Sequence, residues 1–165
     1  MSRSIISAIL LFSLHGSPMQ RSATNTSLDG AWNVVEVQTI RADGQVTSVK
    51  PRESLVLFAH GHYSFCWTSR ESSVHTWQIA DSERVARFNQ TLINAGTYTV
   101  SDSLLITHAQ FALTPKFTNG TATFRCTLSG DSLTLTGLSV VSADGVLHPI
   151  YAGGAHIVNK LVKVQ

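Results

Sequence analysis

Short apolar runs broken by turn residues fill the chain after about residue 27. Segment 31–40 (AWNVVEVQTI) is rich in β-branched side chains, and Ala42-Asp43-Gly44 then signals a turn into a short strand at 45–49. Lys50-Pro51-Arg52 breaks the chain. Segments 54–59 (SLVLFA) and 62–68 (HYSFCWT) flank His60-Gly61, the spacing of a tight hairpin. Strand patterns return at 97–100, 104–109, 121–128, 132–141 and 156–164, separated by Ser, Asp and Gly turns. Nine short strands at this spacing predict an all-β sandwich or barrel. One helix interrupts them, at about 81–94. Asp81 or Ser82 is placed to cap it, and Val85, Phe88, Leu92 and Ile93 share one face. That face predicts burial of Phe88 and Leu92 against the strands.

Composition narrows the classes. At 165 residues the chain suits one domain with a core of its own. Hydrophobic residues at 43% against 13% charged exclude a disordered chain. The net charge is only +2, and no basic stripe collects Lys and Arg, so nucleic acid is not an expected partner. The apolar run at 5–14 (IISAILLFSL) behind Arg3 has secretory length and is too short to span a bilayer. Residues 1–26 therefore read as a signal peptide or disordered segment, and 27–165 as the folded domain. Secretion or export to a periplasm is the expected localisation, without an integral membrane span. Strand parity puts Cys66 and Cys126 on opposite faces, which favours two free thiols over a bridge.

Several weak motifs, taken in order, resemble the lipocalin-like domain family of bacterial and fungal proteins, with its calycin-type barrel. They are Gly30-Ala31-Trp32 with Val34-Val35, the Asp43-Gly44 turn and the Tyr63 strand. The helix before Ala95-Gly96-Thr97-Tyr98-Thr99-Val100 and the run from Leu128 to Leu135 complete the set. The resemblance spans about 28–164 and implies an antiparallel barrel of about eight to ten strands around an apolar pocket. It also implies that the Trp32 indole lies on the barrel floor under a basic side chain from the last strand, here Lys160 or Lys163. Arginine is usual in that position in classical lipocalins, which also carry their helix after the barrel and a Thr-Asp-Tyr type motif absent here. Retinoid transport is therefore not implied.

The candidate ligand-binding residues are Trp32, Glu36, Tyr63, Phe65, Trp67, Phe88, Tyr98, His108 and Phe124. Trp32 reads better as a plug than as a cavity wall. Tyr63, Phe65 and Trp67 share a strand face, which lines a pocket or fills a core; barrels of this size do either. Glu36 follows Trp32 and Val34 at period two, and His108 follows Leu104 and Ile106, so both are candidates for a buried polar anchor. A β-bulge that turns Glu36 outward and a singly satisfied His108 are the stronger readings. His60, His62 and His75 lie near one hairpin but lack an acidic partner, and no metal or other cofactor is expected. The expected function is binding or carriage of a small apolar or amphipathic molecule. The alternative is an isomerase- or cyclase-type enzyme using the same cavity, with Glu36 or His108 as acid or base. A third possibility is a filled barrel acting through its surface.

Overall fold

Alternating β-branched and aromatic residues favour extended backbone with one face buried. In the computed structural model, which describes residues 28–71 and 76–165, they form nine antiparallel strands. The first four are β1 (Gly30–Ile40), β2 (Val46–Val49), β3 (Glu53–Ala59) and β4 (His62–Thr68). Helix α1 (Asp81–Asn89) precedes β5 (Thr91–Ser101) and β6 (Leu104–Ala112). A 3-10 turn at Pro115–Phe117 leads to β7 (Thr121–Ser129) and β8 (Ser132–Val141). Helix α2 (Pro149–Ala152) and β9 (His156–Lys163) complete the order. The expected targeting segment at 1–26 and His75 lie outside the described residues. No helix among the described residues is long and apolar enough to cross a membrane.

Strands β3 to β9 form a meander in which each pairs with the next. β1 closes it, pairing with β3 through Gly30–Trp32 and with β9 from Trp32 to Ile40. Eight strands thus make a closed barrel, and β2 adds a ninth against Val37–Ile40 of β1 with all four of its residues exposed. Beyond Trp32 the β1–β3 ladder ends at a side chain. The Ser54 hydroxyl accepts from the Val34 N–H at 2.9 Å and donates to the Val34 carbonyl at 3.3 Å. Trp32, Val56, Phe58, Leu133, Leu135 and Leu161 anchor the buried interior. Each fully buried aliphatic or aromatic side chain of this kind contributes about 1.5–3 kcal/mol.

Three bulges reset which residues face inward. They lie between Val34 and Glu36 on β1, at Ala95/Gly96 where β5 meets β6, and at Thr123/Phe124 where β7 meets β8. The first bulge leaves both Val34 and Val37 pointing in, so Glu36 points out. Cys66 and Cys126 are free thiols; Cys126 packs against the core, and burial pushes its pKa up.

The helix departs from the sequence expectation. It ends at Asn89, and Leu92 and Ile93 belong to β5, where they pair with Trp67 and Cys66 of β4. Strand pairing with an existing edge outweighs the local helical pattern there. Having lost half of its apolar face, α1 leaves Phe88 47% exposed and buries none of its residues. Ala80 takes the N-cap position, with Asp81 and Glu83 in the first turn. Charges hold the helix in place. Arg70 donates to both Glu83 carboxylate oxygens, at 3.1 and 2.7 Å, and Arg87 reaches Glu53 at 3.3 Å.

Candidate functional site

The closed end of the barrel is built around Trp32, which is fully buried. Its Nε1–H donates to the Leu28 carbonyl at 2.9 Å, so burial leaves no polar atom unpaired. The Lys163 ammonium lies 5.5 Å from the centre of the indole, a cation–π contact. Gly30 permits this approach. Its φ of +135° suits glycine, and a Cβ there would sit 3.1 Å from Lys163 Cε. Nearby, the Tyr98 ring meets Phe58 edge-on at 5.2 Å and its hydroxyl donates to Asp29 at 2.8 Å. Burial, reinforced by the Asp29 carboxylate, pushes the Tyr98 pKa up to about 12.

The other half of the barrel encloses a cavity of about 190 Å³. Its deep wall is Val37, Phe58, Tyr63, Leu105, Ala122 and Leu135. Phe65, Trp67, Leu92 and Phe124 form the sides. Phe117, His148 and Tyr151 stand at the mouth, contributed by the 3-10 turn, the N-cap of α2 and α2 itself. His148 caps α2 by accepting from the Ile150 N–H at 3.3 Å, and its ring meets Tyr151 edge-on. Tyr151 occupies space that a side chain at Gly137 would take, since a Cβ there would collide with the tyrosine hydroxyl.

Polar groups on this wall are few and uncharged. Asn94, Thr107, Thr114 and Asn159 contribute amides and hydroxyls, with Asn159 buried. Among the described lining residues there is no Asp, Glu, Lys or Arg. Two buried polar atoms on the wall have no hydrogen-bond partner, the Tyr63 hydroxyl and Trp67 Nε1. Burial pushes Tyr63 up to about 12. The neighbouring Thr107 hydroxyl, which donates to the Ala122 carbonyl at 3.4 Å and keeps its lone pairs free, tempers that shift. Burial likewise raises Tyr151.

The sequence-derived candidates separate into three places. Tyr63, Phe65, Trp67 and Phe124 lie on the cavity wall. Trp32 and Tyr98 form the floor beneath it. Glu36, His108 and Phe88 are not on the wall, which corrects the placement that period two and helical spacing gave them. Glu36 is turned out by the bulge and pairs with Lys160 at 2.8 Å, Ser48 at 2.7 Å and Gln38 at 3.1 Å. The Lys160 ammonium, helped by Ser48 and Gln38, holds its carboxyl down to about 2. His108 is exposed on the outer face of β6, because Leu105, Thr107 and Ala109 are the inward set there. The acid and base of the isomerase- or cyclase-type alternative are therefore outside the cavity. His60 and His62 are exposed at the opposite hairpin, where the His62 ring nitrogen meets the His60 carbonyl at 3.2 Å.

Parity along β6 and β9 contains the signal for two wall residues absent from the sequence candidates. Thr107 alternates with Leu105, and Asn159 alternates with Ile157 and Leu161. Tyr151 was legible only as the third residue of a short helix opened by Pro149.

The family model for the lipocalin-like domain matches residues 29–145. No curated protein matches the chain. Among solved structures, a lipocalin-like protein from Bacteroides uniformis is 16% identical, with 84% of this chain and 99% of that one covered and a TM-score of 0.44. An uncharacterized protein from Bacteroides eggerthii is 14% identical, with 83% and 99% covered and a TM-score of 0.43. The family match runs from the floor strand through the last turn before α2 and covers well over half of the sequence, so the chain belongs to the lipocalin-like domain family.

Proposed function

We propose that this protein reversibly binds a small, predominantly apolar and uncharged molecule inside the barrel. The observation that carries the reading is the 190 Å³ cavity, walled by aromatic and aliphatic side chains without a charged one among the described residues. An apolar cavity of about 150 Å³ admits benzene, so the enclosed space suits a guest of about eight to ten non-hydrogen atoms. A long acyl chain or a polycyclic compound would have to protrude past His148 and Tyr151. Moving an ion into such a wall without a counter-charge costs several kcal/mol, about as much as the apolar contacts return.

Titration with isopropylbenzene, followed by methyl resonances, tests this. Leu105 and Leu135 should shift, while Leu128 on the exposed end of β7 should not. Ala122→Phe, which projects a ring into the cavity, should abolish the shifts at a stability cost of about 1–3 kcal/mol. Absence of any response from the wall would overturn the proposal. Export belongs to the same proposal, supported by the apolar run at 5–14, and the N-terminal residue of protein recovered outside the cell tests it.

A further inference from the structure

Two fully buried donors on the cavity wall, the Tyr63 hydroxyl and Trp67 Nε1, make no hydrogen bond. The floor pairs its own, Trp32 with the Leu28 carbonyl and Tyr98 with Asp29. On the wall, Tyr63, only 5% exposed, has the Thr107 hydroxyl alone beside it, and the buried Trp67 Nε1 has no acceptor. Native proteins pair almost all such groups, so an unpaired buried one points to an acceptor brought by something else. An indole N–H donates only, which makes the missing partner an acceptor rather than a donor. The Tyr63 hydroxyl, with its pKa pushed up to about 12, keeps its proton at neutral pH and also donates.

The two residues are four apart on β4, so their Cα atoms are about 13 Å apart along the strand. Tyr63 marks the deep wall, beside Thr107 and Leu105, and Trp67 stands nearer the mouth, paired with Leu92. The acceptor should be neutral, because among the described residues no Lys or Arg lines the cavity to balance a carboxylate, and the one histidine, His148, stands at the mouth with its Nδ1 taken by the Ile150 N–H. A protonated amine is excluded on the same ground, since no described carboxylate lines the cavity and an ammonium has no lone pair with which to accept.

We infer that the guest is an uncharged carbonyl compound, a small ketone, ester or lactone, whose oxygen accepts from Tyr63 or Trp67 while its ring or chain fills the apolar space. This rests on the binding function proposed above and names the chemistry that function selects.

Three probes of matched size, about nine non-hydrogen atoms each, test it: acetophenone, isopropylbenzene and benzoate. Acetophenone and isopropylbenzene should both bind, and benzoate should not bind at neutral pH. In the double variant Tyr63→Phe/Trp67→Phe, acetophenone should weaken relative to isopropylbenzene by about three- to tenfold, the loss of one net hydrogen bond. Isopropylbenzene reports the change in cavity space alone, so the ratio of acetophenone to isopropylbenzene affinity is what should fall. The single variants identify which donor is used. The unsubstituted protein supplies an independent readout, because the Trp67 indole N–H resonance should shift with acetophenone and stay in place with isopropylbenzene. If the double variant changes both probes equally and the indole signal does not move, the carbonyl assignment is overturned while the cavity stands. If isopropylbenzene also fails to bind, the binding function itself is overturned.

Discussion

Single side chains in this barrel divide between sealing and receiving. Trp32 seals, with its ring enclosed, its N–H paired and Lys163 across its face. Trp32→Ala should lower stability by about 3–5 kcal/mol in urea denaturation, and Trp32→Phe by less. Glu36 acts on the outside, where Lys160, Ser48 and Gln38 hold its carboxyl from 4.5 down to about 2. The folded form takes up that proton at lower pH than the unfolded chain. The stabilisation is therefore complete above 4.5 and is lost as pH falls toward about 2. Glu36→Gln should flatten the dependence of melting temperature on pH across this window, and an unchanged slope would count against the ion pair. Sequence alternation located Tyr63, Phe65 and Trp67 because their strand alternates cleanly with His62, Ser64 and Cys66. It misplaced His108 because Leu104, Leu105 and Ile106 are all apolar, so the run carries no phase. Glu36 was ambiguous for a different reason: a bulge leaves no mark in the pattern of side chains.

Strands and helices are held here by different forces. The strands share a buried interior, whereas α1 rests on the ion pairs Arg70–Glu83 and Arg87–Glu53. Arg70 holds the Glu83 carboxyl below the ordinary range, but Arg70 remains about one-third exposed, so the contribution is modest. Arg70→Ala should cost at most about 1 kcal/mol. Hydrogen exchange at the amides of α1 should quicken in that variant, with no change in β6 or β8. The contrast also explains the error at the helix C-terminus. Spacing of Phe88, Leu92 and Ile93 fits a helix as well as it fits a helix followed by a strand. The open edge of β4, which decides the matter by pairing from Thr91 onward, is a tertiary fact. The other strand assignments and the His60-Gly61 hairpin were legible because turn residues and alternation coincide there, whereas the floor position of Trp32 came from the family resemblance alone.

Barrel closure joins the most distant parts of the chain. Val37 pairs with Asn159 and Val34 with Leu161, whereas every other barrel pair except β1–β3 is a connection between sequential strands. Bringing such distant segments together costs loop entropy before contacts return it, so closure follows formation of the meander. Leu161→Ala should cost about 2–5 kcal/mol. Most of that loss should appear as faster unfolding, with the refolding rate nearly preserved, in stopped-flow measurements. An equal effect on both rates would place β9 in the early nucleus. The β1–β9 seam has a further consequence during biosynthesis. Until β9 emerges from the ribosome, a nascent chain offers β1 only the short β2 and the first residues of its β3 ladder. Trp32 meets Val56 early but waits for Lys163 through the synthesis of more than a hundred further residues, an interval in which a chaperone that shields aromatic segments can engage it.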